Sequence, residues 1–220
     1  MSAALFAAIP AGDVEAVATL LAADGHLAEA RDAQGRAAVL VAVYHRQPAI
    51  LERLLAQRPA LDLQTAAAAG QTDVVRSLLD ADAGGLDGLS SDGWTALHLA
   101  SFFGHLETAT LLLDRGASTG VVSQNAMRNT ALNAACASNQ TAVARLLLQR
   151  GAQPNASQAG GFTCLHAAAY NGNVELASLL VAAGADLDVV NDAQQTPLDL
   201  AMQKGHQAAA ELLLKVGAVG

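Results

Sequence analysis

Aromatic side chains are scarce in this sequence of 220 residues: one Trp, two Tyr and four Phe make up only 3% of it. Apolar residues nevertheless reach 52%, largely Ala and Leu, which suits thin, closely packed helices better than a core filled with rings. Basic residues are also few. Twelve Lys and Arg face twenty Asp and Glu for a formal net charge of −8, and no Lys/Arg cluster supplies the electrostatic footprint that phosphate contacts need. Nucleic acid and anionic membrane are therefore disfavoured as partners. No run of about 18 apolar residues is present, so no transmembrane helix is expected. The apolar start, Met1 to Ile9, has no basic residue before it and is too short for a signal h-region. The two cysteines, Cys136 and Cys164, form no C-x-x-C pair; they read as small core residues, and reduced thiols suit a cytoplasmic protein.

What the chain does have is a repeated stretch. Its clearest copy runs Asp92-Gly93-Trp94-Thr95-Ala96-Leu97-His98-Leu99-Ala100, passes through Gly104, and closes with Leu111-Leu112-Leu113-Asp114-Arg115-Gly116-Ala117. Thr95 can cap a helix through its side-chain oxygen, and His98, three residues on, can reciprocate. Gly104 can take the left-handed conformation that ends that helix. A second helix is predicted from about Leu106 to Asp114. Two helices this short cannot stand alone in water, so their apolar faces need copies of the unit on either side.

Those copies recur in phase: Thr95, Thr130, Thr163 and Thr196 lie 35, 33 and 33 residues apart. Gly161 to Asp186 repeats the pattern closely, and Thr196-Pro197-Leu198 places Pro at the first helical position, where its missing N–H costs nothing. In the copy after Thr130, Asn133 replaces the His and Asn139 the Gly. The unit resembles the ankyrin repeat, of about 33 residues with a T-P-L-H-x-A signature. The resemblance implies an all-α ankyrin-repeat solenoid of about seven stacked helix-turn-helix units in one domain, 1–220, the first three degenerate. The units are 1–34, 35–58, 59–91, 92–126, 127–159, 160–192 and 193–220. In the first, Ala3 takes the Thr position and Gly12 the turn. In the second, Arg46 falls at the turn glycine, so that turn is expected to be altered. In the third, Gly70 puts Leu61 at the Thr position, and the short connector Arg58-Pro59-Ala60 implies that the hairpin before it is lost.

Chemistry is hard to find. His98 and His166 hold the repeat's structural His position, and His105 and His206 follow a turn glycine. His26 and His45 have no Cys or His at metal-ligand spacing. No phosphate-binding loop, nucleophile elbow or H-E-x-x-H motif occurs. No catalytic residue, cofactor or metal is assigned, and the chain is not expected to be an enzyme. Arg53, Arg76, Arg115, Arg145 and Arg150 lie near the ends of second helices, where they offset the helix dipole and face solvent.

What remains is surface. Ankyrin-like stacks present a concave groove lined by first helices and hairpin tips, and the two residues before each turn usually face it. Here these are Tyr44-His45, Ala68-Ala69, Phe102-Phe103, Ala137-Ser138, Tyr170-Asn171 and Gln203-Lys204, with Trp94 and Phe162 flanking the same side. Most of the few aromatics thus fall on one face, and aromatic anchors are the usual energetic centre of an interface. Packing of Phe103 or Phe162 as core is the competing reading. The resemblance implies a non-catalytic protein-binding module in which Tyr44, Trp94, Phe102, Phe103 and Tyr170 anchor a protein or peptide and His45, Ser138, Asn139 and Asn171 form the rim. A dedicated inhibitor of an enzyme or toxin, acting through the hairpin tips, is the alternative. The acidic balance favours a basic partner. A monomer is expected, with self-association possible at the last unit, which ends Lys215-Val216-Gly217-Ala218-Val219-Gly220.

Overall fold

The computed structural model describes residues 1–82 and 84–217. Among them the chain is all-helical and divides into two compact units, Met1–Gly85 and Leu86–Gly220. The first unit holds α1 (Ser2–Ala11), α2 (Val14–Ala23), α3 (Ala38–Tyr44), α4 (Pro48–Ala56), α5 (Leu63–Ala68) and α6 (Thr72–Ala81). The second holds α7 (Ala96–Phe103), α8 (Leu106–Asp114), α9 (Ala131–Ala137), α10 (Thr141–Gln149), α11 (Cys164–Asn171), α12 (Val174–Ala182), α13 (Pro197–Gln203) and α14 (Gln207–Gly217).

The clearest repeat shows how sequence makes each pair. Thr95 caps α7 by accepting from the His98 amide, and Gly104 ends the helix at φ 79°. The next helix starts almost at once, since His105 is already the cap of α8. It closes with the Ala117 amide donating to Leu112 O at 3.0 Å while Gly116 sits at φ 96°. The same closure recurs in Ala152 to Leu147 and Ala185 to Leu180, so all three Leu-rich helices end on one left-handed glycine.

The helix pairs stack in two layers. In the second unit α7, α9, α11 and α13 pack in succession, and α8, α10, α12 and α14 form the layer behind them. Leu97, Leu99, Leu112, Leu132, Leu147, Leu165, Leu176 and Leu180 are fully buried there. Each such burial contributes about 1.5–3 kcal/mol, which is what isolated nine-residue helices lack. Main-chain bonds also tie the hairpin tips together: Gln124 N donates to Gly93 O, Ala159 N to Met127 O and Asp192 N to Gly160 O, at 2.8–2.9 Å.

Several local expectations need correction. Arg46 does not alter its turn; it adopts φ 52° and keeps the left-handed bend, as Asn139 does at φ 66°. His45, which the repeat spacing puts in the first helix of the second repeat, instead caps the end of α3. The cap of α5 is Asp62, one residue beyond Leu61, because its carboxylate reaches the Thr65 amide at 2.7 Å. The α1 helix starts ahead of Ala3, at Ser2, with Met1 as its cap. Arg76 and Arg145 lie in the middle of α6 and α10 and not near a helix end. Arg145 and Arg150 are engaged in ion pairs, with Glu175 and Asp114 of adjacent repeats at 2.9 and 2.7 Å. The connection after α4 has lost its hairpin, as the short spacing implied; Gln57 to Asp62 lead directly into α5. The end of the proposed self-association segment, Ala218 to Gly220, lies outside the described residues.

Candidate partner-binding face

A buried polar frame positions the face. In α7 the Thr95 hydroxyl meets His98 Nδ1 at 2.7 Å, while His98 Nε2 reaches Asn129 O at 2.9 Å. A carbonyl can only accept, so Nε2 carries the proton and Nδ1 accepts from Thr95. His166 repeats this between Thr163 and Gln195 O. Asn133 does so with an amide: Oδ1 accepts from Thr130, and Nδ2 donates to Ala156 O at 2.9 Å. Asp199, an acceptor only, takes the two bonds from Thr196 at 2.7–2.8 Å. Each N-cap thus has an acceptor three residues on, and His98, Asn133 and His166 also grip the following hairpin. Burial lowers the pKa of both His98 and His166, keeping them neutral.

In the second unit this frame presents two aromatic groups. Trp94, Phe102 and Phe103 are all half-buried and stack edge to face, with centroids 5.5 Å apart for Trp94–Phe102 and 5.1 Å for Phe102–Phe103. Further along, Phe162, Tyr170, Asn171, Ala137 and Ala167 line an apolar cleft of about 290 Å³ between α9 and α11. Tyr170 is 45% exposed, and Lys204 Nζ lies 4.2 Å from its ring centroid. This cation–π contact, which the spacing did not reveal, orders the ring from one side. Ser138 bonds back to Ala134 O, and Asn139 spends its side-chain oxygen on Asn173, so both are tied to the frame.

In the first unit Tyr44 is half-buried and His45 exposed. His45 borders a larger cleft, about 580 Å³, between α1, α3 and the hairpin at 31–36. Phe6, Pro10, Arg31 and Arg36 line it, and none was singled out from the sequence. One signal was available: aligned on the turn glycines Gly12 and Gly104, Phe6 stands where His98 stands.

Little here points to covalent or metal chemistry. Cys136 and Cys164 are both buried and reduced, and Asn133 Nδ2 lies 3.4 Å from Cys164 Sγ. Among the described residues no group of three or more His, Cys, Asp and Glu is placed to hold a metal ion, and no helix is long and apolar enough to cross a membrane.

A family model described as ankyrin repeats (3 copies) matches residues 63–158 and again 155–219. No curated protein matches the chain.

Proposed function

The chain belongs to the ankyrin-repeat family, whose repeats are generally non-catalytic modules of protein–protein interaction, and on that premise we propose that its second unit binds a protein or peptide along the face carrying Trp94, Phe102, Phe103 and Tyr170. The observation that carries this reading is the cleft between Phe162 and Tyr170, apolar in its lining and open to solvent with Tyr170 45% exposed. A partner side chain entering there would bury apolar surface against two rings whose positions are already fixed, so little ordering would be lost on binding. Asn171 supplies a polar group at the same cleft. In this reading the protein works in the cytoplasm as a monomer, and the excess of acidic residues favours a basic partner for the second unit.

The test is capture from the source cell's lysate by the wild-type chain, by Phe102→Ala/Tyr170→Ala, and by a control, Glu211→Gln, on the last second-layer helix. Circular dichroism first establishes that all three are folded. A protein retained by wild type and control and lost by the double variant supports the face. Equal retention by all three overturns it.

A second reading, regulation of a partner enzyme or toxin through the hairpin tips, draws on one observation. The loop from Val122 to Asn129, in the longest of the repeat spacings, exposes Val122 and Met127 by 47% and 45%. A Met127→Ser/Val122→Ser variant that abolishes capture where the aromatic variant does not would favour it.

A further inference from the structure

We propose that Cys136 and Cys164 are a redox-controlled crosslink: hydrogen peroxide oxidises the pair to a disulfide that staples α9 to α11, and a dithiol reduces it again. The crosslink does not depend on what the cleft above it binds.

The placement follows from Asn133. Cys136 lies three residues after it on α9, and residues so spaced share one face of a helix. The Asn133 amide divides its two hydrogens between Ala156 O at 2.9 Å and Cys164 Sγ at 3.4 Å. The sulfur carried by α11 therefore rests against the face of α9 that carries the other sulfur. The two thiols are also hydrogen-bonded to each other, and both side chains are fully buried. Packing alone does not call for sulfur here. Counted from the cap threonines, the equivalent pairs at the interfaces on either side are Ser101 with Ala131 and Ala169 with Pro197, all of them buried. Small side chains fill those places, and the chain's two cysteines fall together on the one interface between α9 and α11.

The surroundings give the two sulfurs different parts. The Asn133 amide faces Cys164 Sγ as a donor, so negative charge on that sulfur has a partner. Burial, then the neighbouring Cys164 thiol, push Cys136 well up, and it keeps its proton. Cys164 loses its proton and attacks one oxygen of hydrogen peroxide. The O–O bond breaks, Cys164 becomes a sulfenic acid, and the departing hydroxide takes up the proton as water. Cys136 then attacks the Cys164 sulfur. The S–S bond forms as the S–O bond breaks, and the Cys136 proton leaves with the hydroxide as a second water. Two thiols are oxidised and one peroxide is reduced. Exchange with a dithiol, which becomes a disulfide itself, restores both thiols. The pair is sealed in the closed chain, so the oxidant must be small and enters as the repeats open locally. A disulfide there resists that opening, since it closes the ring 136–164.

The experiment treats the purified full chain with hydrogen peroxide in native buffer, removes the oxidant, and counts free thiols in urea before and after dithiothreitol. Both thiols should disappear and return on reduction. Tryptic digestion without reductant should release peptide 129–145 joined to peptide 151–204, and the chain should stay monomeric on a non-reducing gel. The oxidised chain should unfold at a urea midpoint higher by roughly 1 M. In Cys136→Ala, dimedone should trap Cys164 as its sulfenic acid, while Cys164→Ala should leave Cys136 unreacted over the same time. Two thiols that survive the peroxide, sulfurs that each gain oxygen without joining, or a bond between two chains overturns the proposal. An oxidised chain that unfolds no later than the reduced one overturns the staple, and trapping of Cys136 in place of Cys164 overturns the assignment of the attacking sulfur.

Discussion

His98 Nε2 donates to the main-chain carbonyl of Asn129 across 2.9 Å, joining the first helix of one repeat to the hairpin of the next. His166 makes the same bond to Gln195. Both rings are held neutral by burial, which disfavours an added charge, and at His166 the Nδ1 lone pair also accepts from the Thr163 amide, a bond that protonation would break.

Stability should therefore fall on mild acidification. Burial lowers the pKa of both rings, against the opposing pull of their carbonyl bonds. The folded chain then binds protons less readily than the unfolded one, so this contribution is complete above the unfolded value near ~6.5, declines below it, and is lost as pH falls through the lower folded value. Asp62, where burial is outweighed by hydrogen bonds from Thr65 and Arg31, and Asp199, held down by Thr196, act lower, as pH falls through the acid range below about 4. Urea midpoints at about pH 8 and about pH 5.5 separate the two groups. The midpoint should be lower at the second pH, and His98→Asn/His166→Asn, patterned on Asn133, should remove most of the difference. A midpoint that does not move between the two sinks the argument.

Ser101 is expected to be a weak point in α7. Its hydroxyl is fully buried and finds no hydrogen-bond partner among the described residues. Ser101→Ala removes an unsatisfied polar group from a site shaped for a small side chain, and should raise stability by roughly 1 kcal/mol in urea unfolding. A loss of stability would show that the hydroxyl is satisfied in solution.

The turns give a pair of opposite outcomes. Arg46 holds a left-handed φ of 52°. Arg46→Gly should therefore stabilise by about 1 kcal/mol, less the extra freedom glycine gives the unfolded chain. Gly104 is the reverse case: it sits at φ 79°, and a Cβ there would run into the Gln140 side-chain amide. Gly104→Ala should cost more than about 1 kcal/mol. Thermal melts of both variants beside wild type decide it, and a destabilised Arg46→Gly would mean that the arginine's contacts outweigh its strain.

The stacked helix pairs were legible because the features that make them are local and periodic. Thr95, Gly104 and Gly116 act within their own turns, so their spacing is enough. Departures arose where a neighbour decided the outcome. Asp62 displaced Leu61 as a cap because a carboxylate can accept from an amide and a leucine cannot. Arg46 kept a turn that its own preference disfavours, since the Gln47 amide bonds to Ala42 O across it and holds it closed. The aromatic face was half legible: the positions of Phe102 and Tyr170 could be counted, but Lys204 against the Tyr170 ring is a contact between two repeats. Phe6 was not legible as part of the same face, because it sits at the His position and not in the pair before the turn.

The two thiols allow a test of the packing beneath the second unit's cleft. Cys136 and Cys164 are fully buried on α9 and α11, and burial, then the neighbouring Cys164 thiol, push the Cys136 pKa well up. Burial keeps the reagent from both sulfurs, and at Cys136 it also withholds the reactive thiolate, so both should react with a disulfide reagent at pH 8 more than about a hundredfold slower in the native chain than in concentrated urea. The rate should climb with sub-denaturing urea as the repeats open. Ala137 follows Cys136 directly and Ala167 lies one turn from Cys164, and both alanines line the cleft beside Tyr170. A bulky adduct on either sulfur would have to displace that floor. Protein labelled in urea and refolded should consequently lose the partner that Tyr170→Ala loses, while Cys136→Ala/Cys164→Ala, put through the same procedure, keeps it. Rapid labelling of one thiol in the native chain would mean that α9 and α11 part readily, and that the cleft between them is not a fixed surface.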